Sequence, residues 1–463
     1  MTTEDPREWS PRIVIVGGGV SGYAAARRLH KELPRARIHL YDRNDWHHYS
    51  ACGMTFAIEG LYPLEGVVLH TPEDYDRMGI EVHEGVEVTG IDLDGRKVRT
   101  ADGGEARFDV LVLATGRRAL RPPVPGIDMP GVHTLSNFGD GAALMEAVDS
   151  ARRAVVVGGG AIGLEAAVAL RARGIEVTVV EMLPHLLPQM LDPDLGQVVR
   201  EHVEGKGIQV LTGVAVGGII SDNDGRVRAV DVLGEEIPVD LVIVSTGVRP
   251  EASLAEAAGL DLGRTGGIAT DGHLRVMRGG EAVDRVYALG DSAEVGHAVL
   301  GRATLSPLAS TAIYEARTVA KHLLDPGYAH RPVVAPAVVV VGDLHVGGVG
   351  LTQEGGAHVG LETWGVSDKG HDRSRYFPGA SDIHLRLVGD SSGRIVGAQA
   401  VGRRDVKERI NLMALVISEG IPAERLVEVE RAYSPPVQLL SDPLLDLLER
   451  FIERKTDMGG PLV

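Results

Sequence analysis

Short blocks of consecutive apolar residues, each running into a glycine-rich turn, punctuate the first two-thirds of the chain and predict buried parallel strands. Arg12–Val16 (RIVIV) leads into Gly17-Gly18-Gly19-Val20-Ser21-Gly22, an Ala/Arg-rich helical stretch to about Leu33, and a strand from Arg37 to Asp42 that ends on a carboxylate. The pattern recurs: Ala154–Val157, then Gly158-Gly159-Gly160-Ala161-Ile162-Gly163, a helix to about Arg173, and a strand ending at Glu181. The two glycine clusters lie 141 residues apart. Phe108–Gly116 (FDVLVLATG) and Val239–Gly247 (VDLVIVSTG) form a second matched pair, each an apolar strand ending in Thr-Gly. Arg285–Asp291 (RVYALGD) is a further strand ending in Gly-Asp, and Ser306–Leu323 reads as a helix. In the last third, strand-like Ile383–Leu387 and Arg394–Ala398 alternate with helical Lys407–Ser418 and Asp442–Glu453. The simplest organisation is a duplicated α/β unit followed by a different, α+β region.

Each copy of the unit carries the chemistry of dinucleotide recognition. The first glycine permits a tight turn, the second lets the backbone approach a pyrophosphate, and the third allows close helix–strand packing. The helix N-terminus offers unpaired N–H groups and the positive end of its dipole to the same pyrophosphate. Asp42 follows Gly22 by 20 residues and Glu181 follows Gly163 by 18, near the spacing at which an acid accepts from ribose hydroxyls. One glycine cluster reads equally as an ordinary turn. Two, each in strand–turn–helix–strand–acid context, predict two dinucleotide sites, with Thr115, Gly116 and Gly247 at neighbouring strand ends.

Composition narrows the class. The chain has 463 residues, 60 of them glycine, enough tight turns for such a fold. A net charge of −17 argues against a nucleic-acid partner. The single cysteine excludes an internal disulfide framework and an all-cysteine zinc site, and no metal-ligating set stands out. Met1–Arg12 is polar and lacks a signal-peptide core, and no 18-residue apolar run exists, so the chain reads as soluble and cytoplasmic without a membrane span.

Taken together, these motifs resemble the pyridine nucleotide–disulfide oxidoreductase superfamily, flavoproteins with two dinucleotide-binding domains, and the resemblance covers essentially the whole chain. It implies an FAD-binding Rossmann-like domain (1–120 and 251–328) interrupted by an NAD(P)-binding Rossmann-like domain (121–250), then an α+β dimerisation domain (329–463). Gly17, Gly19, Gly22 and Asp42 would hold the ADP half of FAD, and Asp291 the ribityl chain. Gly158, Gly160 and Gly163 would hold the nicotinamide dinucleotide, with Glu165 matching the family's glutamate beside the nicotinamide. Glu181 would repel a 2′-phosphate, which favours NADH over NADPH.

Cys52, ten residues past Asp42, heads the helical-looking Cys52-Gly53-Met54-Thr55-Phe56-Ala57-Ile58-Glu59-Gly60. A lone cysteine is commonly a small buried hydrophobe. At a helix N-terminus its thiolate is stabilised instead. The segment resembles the superfamily's single-cysteine branch: coenzyme A disulfide reductases, persulfide reductases, NADH oxidases and NADH peroxidases. Ala432-Tyr433-Ser434-Pro435-Pro436 and Asp442-Pro443 resemble the branch's Tyr-x-Pro-Pro…Asp-Pro segment, which implies a homodimer with Tyr433 reaching the partner's flavin. Tyr376, in Arg375-Tyr376-Phe377-Pro378-Gly379, resembles a second active-site tyrosine, and a tyrosine packed in a Pro-rich turn is the other reading of both.

Three departures bear on the substrate. Val20 stands where the oxidases and peroxidases carry a histidine over the cysteine. His48-Tyr49-Ser50-Ala51 replaces the Ser-Phe and Asn before the cysteine of the coenzyme A reductases, and Val437–Ser441 holds no Lys or Arg for a coenzyme A phosphate. Thr55-Phe56 replaces a usual Pro-Tyr. His47 and His48 are candidate ion-pair partners for the thiolate, or surface or structural residues. The expected activity is NADH-dependent reduction of a small disulfide or persulfide through FAD, Cys52, Tyr433 and Tyr376. An NADH oxidase using oxygen, a ferredoxin or rubredoxin reductase, and a quinone reductase that uses Leu444–Ile452 as a membrane-facing amphipathic helix are the alternatives.

Overall fold

The computed structural model describes residues 8–45 and 48–458. The amino-terminal reading therefore falls largely on residues 1–7, and the His47 reading on a residue, that lie outside the described ones. Two compact units emerge: residues 8–45, 48–54, 63–119 and 248–333 form the first, and residues 55–62, 120–247 and 334–458 the second.

The first unit is built on a six-stranded sheet ordered Arg275–Arg278, Glu281–Ala288, Val110–Leu113, Arg12–Val16, Arg37–Tyr41, Ile80–His83. All of these neighbours are parallel except the first pair. Arg12–Val16 and Val110–Leu113 are buried on both faces, which is why they read as unbroken apolar runs. Helices Val20–Glu32 and Ala309–Leu324 pack together over one face, where Ala25, Ala26, Ala316 and Ala320 let their backbones approach. The second helix starts at Ala309 rather than Ser306, because Pro307 disfavours helical backbone at the residue before it.

The second unit repeats the design. Its five-stranded sheet runs Val132–His133, Leu241–Val244, Arg153–Val157, Glu176–Glu181, Gln209–Thr212, all parallel. Four of its strands match four of the first sheet in order: the Thr-Gly strand, the glycine-motif strand, the acid-ended strand and an edge. The same unit holds a five-stranded antiparallel sheet of Ala337–Val341, Leu344–Gly350, Ile395–Gly402, Asp382–Asp390 and Thr363–His371. Helices Val406–Glu419 and Pro443–Asp457 cover it. Leu444, Leu447, Leu448 and Phe451 are fully buried there, so the apolar face of Leu444–Ile452 packs inside its own unit and is not free to meet a membrane. Among the described residues, no helix is long and apolar enough to cross a membrane.

Candidate active site

The two glycine motifs are the same object at atomic detail. Gly17 and Gly158 both turn at φ 110°, a conformation that glycine adopts without strain. A Cβ at Gly22 would collide with the Gly17 carbonyl, and one at Gly163 with the Gly158 carbonyl, so the third glycine of each motif lets its helix start against the strand. A Cβ at Gly19 or Gly160 would meet nothing within 4 Å. These second glycines therefore leave open space in front of the backbone. They cap Val20–Glu32 and Ala161–Ala172 without any side-chain bond, and neither helix has an acid in its first turn. The first N–H groups of both helices thus lack a side-chain acceptor, the condition an anion-binding terminus requires.

The acids are held alike. Gly18 N–H donates to Asp42 Oδ2 at 2.8 Å and Asn44 N–H to Asp42 Oδ1 at 2.9 Å. Gly159 N–H donates to Glu181 Oε2 at 2.6 Å and Leu183 N–H to Glu181 Oε1 at 2.7 Å. Asp42 Oδ1 also accepts from the Asn44 side-chain amide at 3.0 Å, so Asp42 Oδ2 and both Glu181 oxygens are the ones that keep a second lone pair for a ribose hydroxyl. Burial raises the Asp42 carboxyl above its ordinary range, opposed by the N–H groups of Asn44 and Gly18. After Glu181 come Met182 and Leu183, both exposed and apolar, where a 2′-phosphate would need a cation.

The Thr-Gly strand ends are also matched. The Thr115 hydroxyl donates to the Glu251 carbonyl at 2.5 Å, and the Thr246 hydroxyl to the Leu120 carbonyl at 2.9 Å. Gly116 (φ 72°) and Gly247 (φ 114°) both sit in the left-handed region with open space where a Cβ would be.

Asp291 lies in a helical turn after Glu281–Ala288 and pairs with Arg117 at 3.3 Å. Burial raises its carboxyl, which Arg117 partly counters. Behind it, Glu315 is 1% exposed and accepts from Gly290 N–H at 2.5 Å. Burial and the nearby Asp291 push the Glu315 carboxyl up to about 8. Sequence reasoning missed both Glu315 and Arg117. The signal for Glu315 was present: it interrupts the apolar helical stripe Ala312, Ala316, Val319, Ala320, and a carboxylate on a buried stripe asks for a partner. Nothing in the sequence marked Arg117.

Glu165 stands on the helix Ala161–Ala172, accepting from the Thr55 hydroxyl at 3.2 Å and the Val340 N–H at 3.4 Å. Burial pushes its carboxyl up to about 7, against the pull of those two donors. Arg173 Nε donates to the Ile58 carbonyl at 2.8 Å, so two bonds hold the Thr55–Tyr62 segment within its unit.

Cys52 is exposed and lies in the 3-10 turn Ala51–Gly53, which runs on into the α-helix Met54–Glu59. The expected helix is therefore present as two short pieces. His48 does not pair with the thiolate as an imidazolium. It is 8% exposed, hydrogen-bonded to the Tyr75 hydroxyl at 2.8 Å and stacked on Tyr23 at 4.4 Å. Burial lowers its pKa to about 4, so it is a neutral core residue. Tyr376 and Tyr433 are 74% and 46% exposed, on loops joined by a bond from Ser374 N–H to the Pro435 carbonyl at 3.4 Å. Val437 and Leu440 extend the same exposed apolar stretch.

The duplicated cradle and the appended sheet define a flavoprotein class, and comparison with known proteins agrees. Residues 11–316 match the model of the pyridine nucleotide-disulphide oxidoreductases, and residues 336–440 match the dimerisation domain of the same enzymes. The chain belongs to this family, which works with FAD and NAD(P)H. A protein of Methanocaldococcus jannaschii described as an NADH oxidase is 34% identical over 441 residues, covering 94% of this chain and 97% of the relative. One of Pyrococcus abyssi described as an NAD(P)H sulfur oxidoreductase (CoA-dependent) is 30% identical over 447 residues, covering 94% of this chain and 97% of the relative. The solved NAD-dependent persulfide reductase of A. fulgidus superposes with a TM-score of 0.91 at 30% identity, covering 97% of this chain and 84% of that one.

Proposed function

We propose that this protein is an NADH-dependent reductase of a small disulfide or persulfide, working through FAD and the single cysteine Cys52. The exposed placement of Cys52 at the head of a helical turn carries the reading: the chain's only thiol is open to attack a sulfur substrate. FAD occupies the first cradle (Gly17, Gly19, Gly22, Asp42, with Thr115, Gly116 and Asp291) and NADH the second (Gly158, Gly160, Gly163, Glu181, with Glu165 and Gly247). When bound, FAD accepts hydride from NADH and delivers the electron pair to sulfur.

The protein's residues do the rest. The Cys52 thiolate attacks the substrate S–S bond, forming a mixed disulfide and expelling one thiolate, which takes a proton from water. Two electrons and a proton then cleave the mixed disulfide, releasing the second thiol and restoring the Cys52 thiolate. Glu165, protonated below about 7, anchors Thr55 three residues beyond the cysteine and keeps charge from accumulating near the nicotinamide. Tyr433 and Tyr376 present phenols from exposed loops, Tyr433 across a homodimer. Glu181 with Met182 and Leu183 favours NADH. The Val437–Ser441 segment carries no cation, which argues against grip on a coenzyme A phosphate there.

A second reading, oxygen as acceptor, is favoured by the relative described as an NADH oxidase. Replacing the cysteine separates the two. Cys52→Ser should lower NADH-dependent disulfide and persulfide turnover by at least about 10³-fold while FAD stays bound. Disulfide turnover at the wild-type rate in that variant would remove the cysteine from the reaction. NADH-driven oxygen consumption unchanged by the substitution would favour a flavin-only oxidase.

A further inference from the structure

The acid-ended strand and the sheet edge of the first unit carry a cluster that neither glycine turn includes. His39 on Arg37–Tyr41 faces Glu81 on the parallel edge strand Ile80–His83, and His83 follows Glu81 by two residues on the same face. The His39 Nδ1 and His83 Nε2 atoms lie 3.3 Å apart. Each is also 3.3 Å from its nearer Glu81 oxygen, Oε2 for His39 and Oε1 for His83. Tyr41 stacks on the His83 ring at 4.3 Å and nearly parallel, which fixes the ring's orientation.

Two facing ring nitrogens can share only one proton between them, and two imidazolium rings so placed would repel. A divalent cation uses both lone pairs and the carboxylate together. Zinc bound by imidazole at about 2.0–2.1 Å in tetrahedral geometry sets neighbouring ligand atoms roughly 3.3 Å apart, the spacing the two nitrogens already have, with one Glu81 oxygen at that distance from each. The side chains of His39 and His83 are about three-quarters buried, at 30% and 26% exposure, while Glu81 is 60% exposed and leaves an entry path from solvent.

We propose that His39, Glu81 and His83 form a three-ligand site for a first-row divalent cation of zinc's coordination preference, with water in the fourth position. The site would clip the edge strand to its neighbour. Its second effect falls on the strand end: the His83 carbonyl accepts the Asp42 N–H at 3.0 Å, so fixing His83 steadies the backbone on which Asp42 is presented.

The test uses the FAD-loaded protein, stripped with a chelator and then titrated with zinc chloride, followed by gel filtration and elemental analysis. Wild type should retain one more zinc per chain than either His39→Gln or Glu81→Gln, and His358→Gln, an exposed histidine elsewhere, should behave as wild type. Wild type and His358→Gln should gain melting temperature with added zinc and the two ligand variants should not, since only a folded state with all three ligands binds it. Flavin absorbance retained in every variant confirms folding. Equal zinc content in wild type and both ligand variants, or no zinc retained by wild type, would overturn the site and leave the histidines as a hydrogen-bonded pair.

Discussion

The two dinucleotide cradles agree in backbone, in glycine placement and in the way a carboxylate is locked onto the loop. They differ in what surrounds that shared frame. The first is backed by Gly290, Asp291, Arg117 and the buried Glu315. The second is backed by Glu165, tied to Thr55 and Val340, and is followed by Met182 and Leu183. On this reading, ligand identity on a duplicated fold would reside in the residues that differ around a shared seat, Glu165 on the second motif's own helix among them.

Substitutions at the second glycines should break this comparison most severely. The β-carbons of Gly19→Val and Gly160→Val would meet no protein atom within 4 Å, so both proteins should fold. The first should purify without flavin. The second should keep FAD at full occupancy while its dissociation constant for NADH, measured by titration, rises by about 100-fold (about 2.7 kcal/mol). Exchange of those phenotypes would invert the assignment of the cradles.

Glu315 gives the next effect. Glu315→Ala leaves the buried Gly290 N–H without its acceptor, which should cost about 1–3 kcal/mol in denaturant unfolding and weaken FAD retention. Glu315→Gln keeps an acceptor and should match wild type near pH 5. The wild-type carboxyl is pushed up to about 8 from an ordinary 4.5, so its folded state holds the proton more tightly than its unfolded state. It imposes no penalty below the ordinary value. Wild type should therefore lose stability relative to the glutamine variant as pH rises from about 5, with the full penalty present above about 8. Parallel pH–stability curves for the two proteins would deny the raised value.

Glu165 sharpens the other side of the comparison. With its carboxyl near 7, the rate of flavin reduction by NADH in single-turnover experiments should change with an apparent pKa close to neutrality. Glu165→Gln should flatten that profile, with a change of about 3–10-fold at the affected pH. A smaller effect is expected at the strand end. Met182→Arg places a cation beside the locked Glu181 and should shift the NADPH/NADH ratio of kcat/KM by about tenfold toward NADPH, without touching FAD content.

Much of the fold was legible because buried parallel strands are written as unbroken apolar runs, and because a turn that must hug both a helix and a ligand admits only glycine. Arg12–Val16 with its cluster and Ala154–Val157 with its cluster were readable on those grounds alone, the second strand beginning one residue earlier in the structure. What stayed hidden depends on distance in the chain. Arg117 meets Asp291, Glu315 meets Gly290, and His39 meets His83 only after the sheet is assembled, and no local period announces such pairs. His48 shows that nearness in the chain decides little, for of its two readings, ion-pair partner or structural residue, the structure bears out the second. Strand pairing with Val68–His70 turns it into a stack with Tyr23.

The most direct test of the central claim, that Cys52 works in series with FAD, is an anaerobic NADH titration followed by the flavin spectrum. The protein is first oxidised with a small disulfide, and the excess removed. Wild type should consume about two NADH per FAD before the flavin is fully reduced, releasing one thiol, whereas Cys52→Ser should consume about one and release none. Full reduction of the wild-type flavin by a single equivalent, with no thiol released, would contradict it.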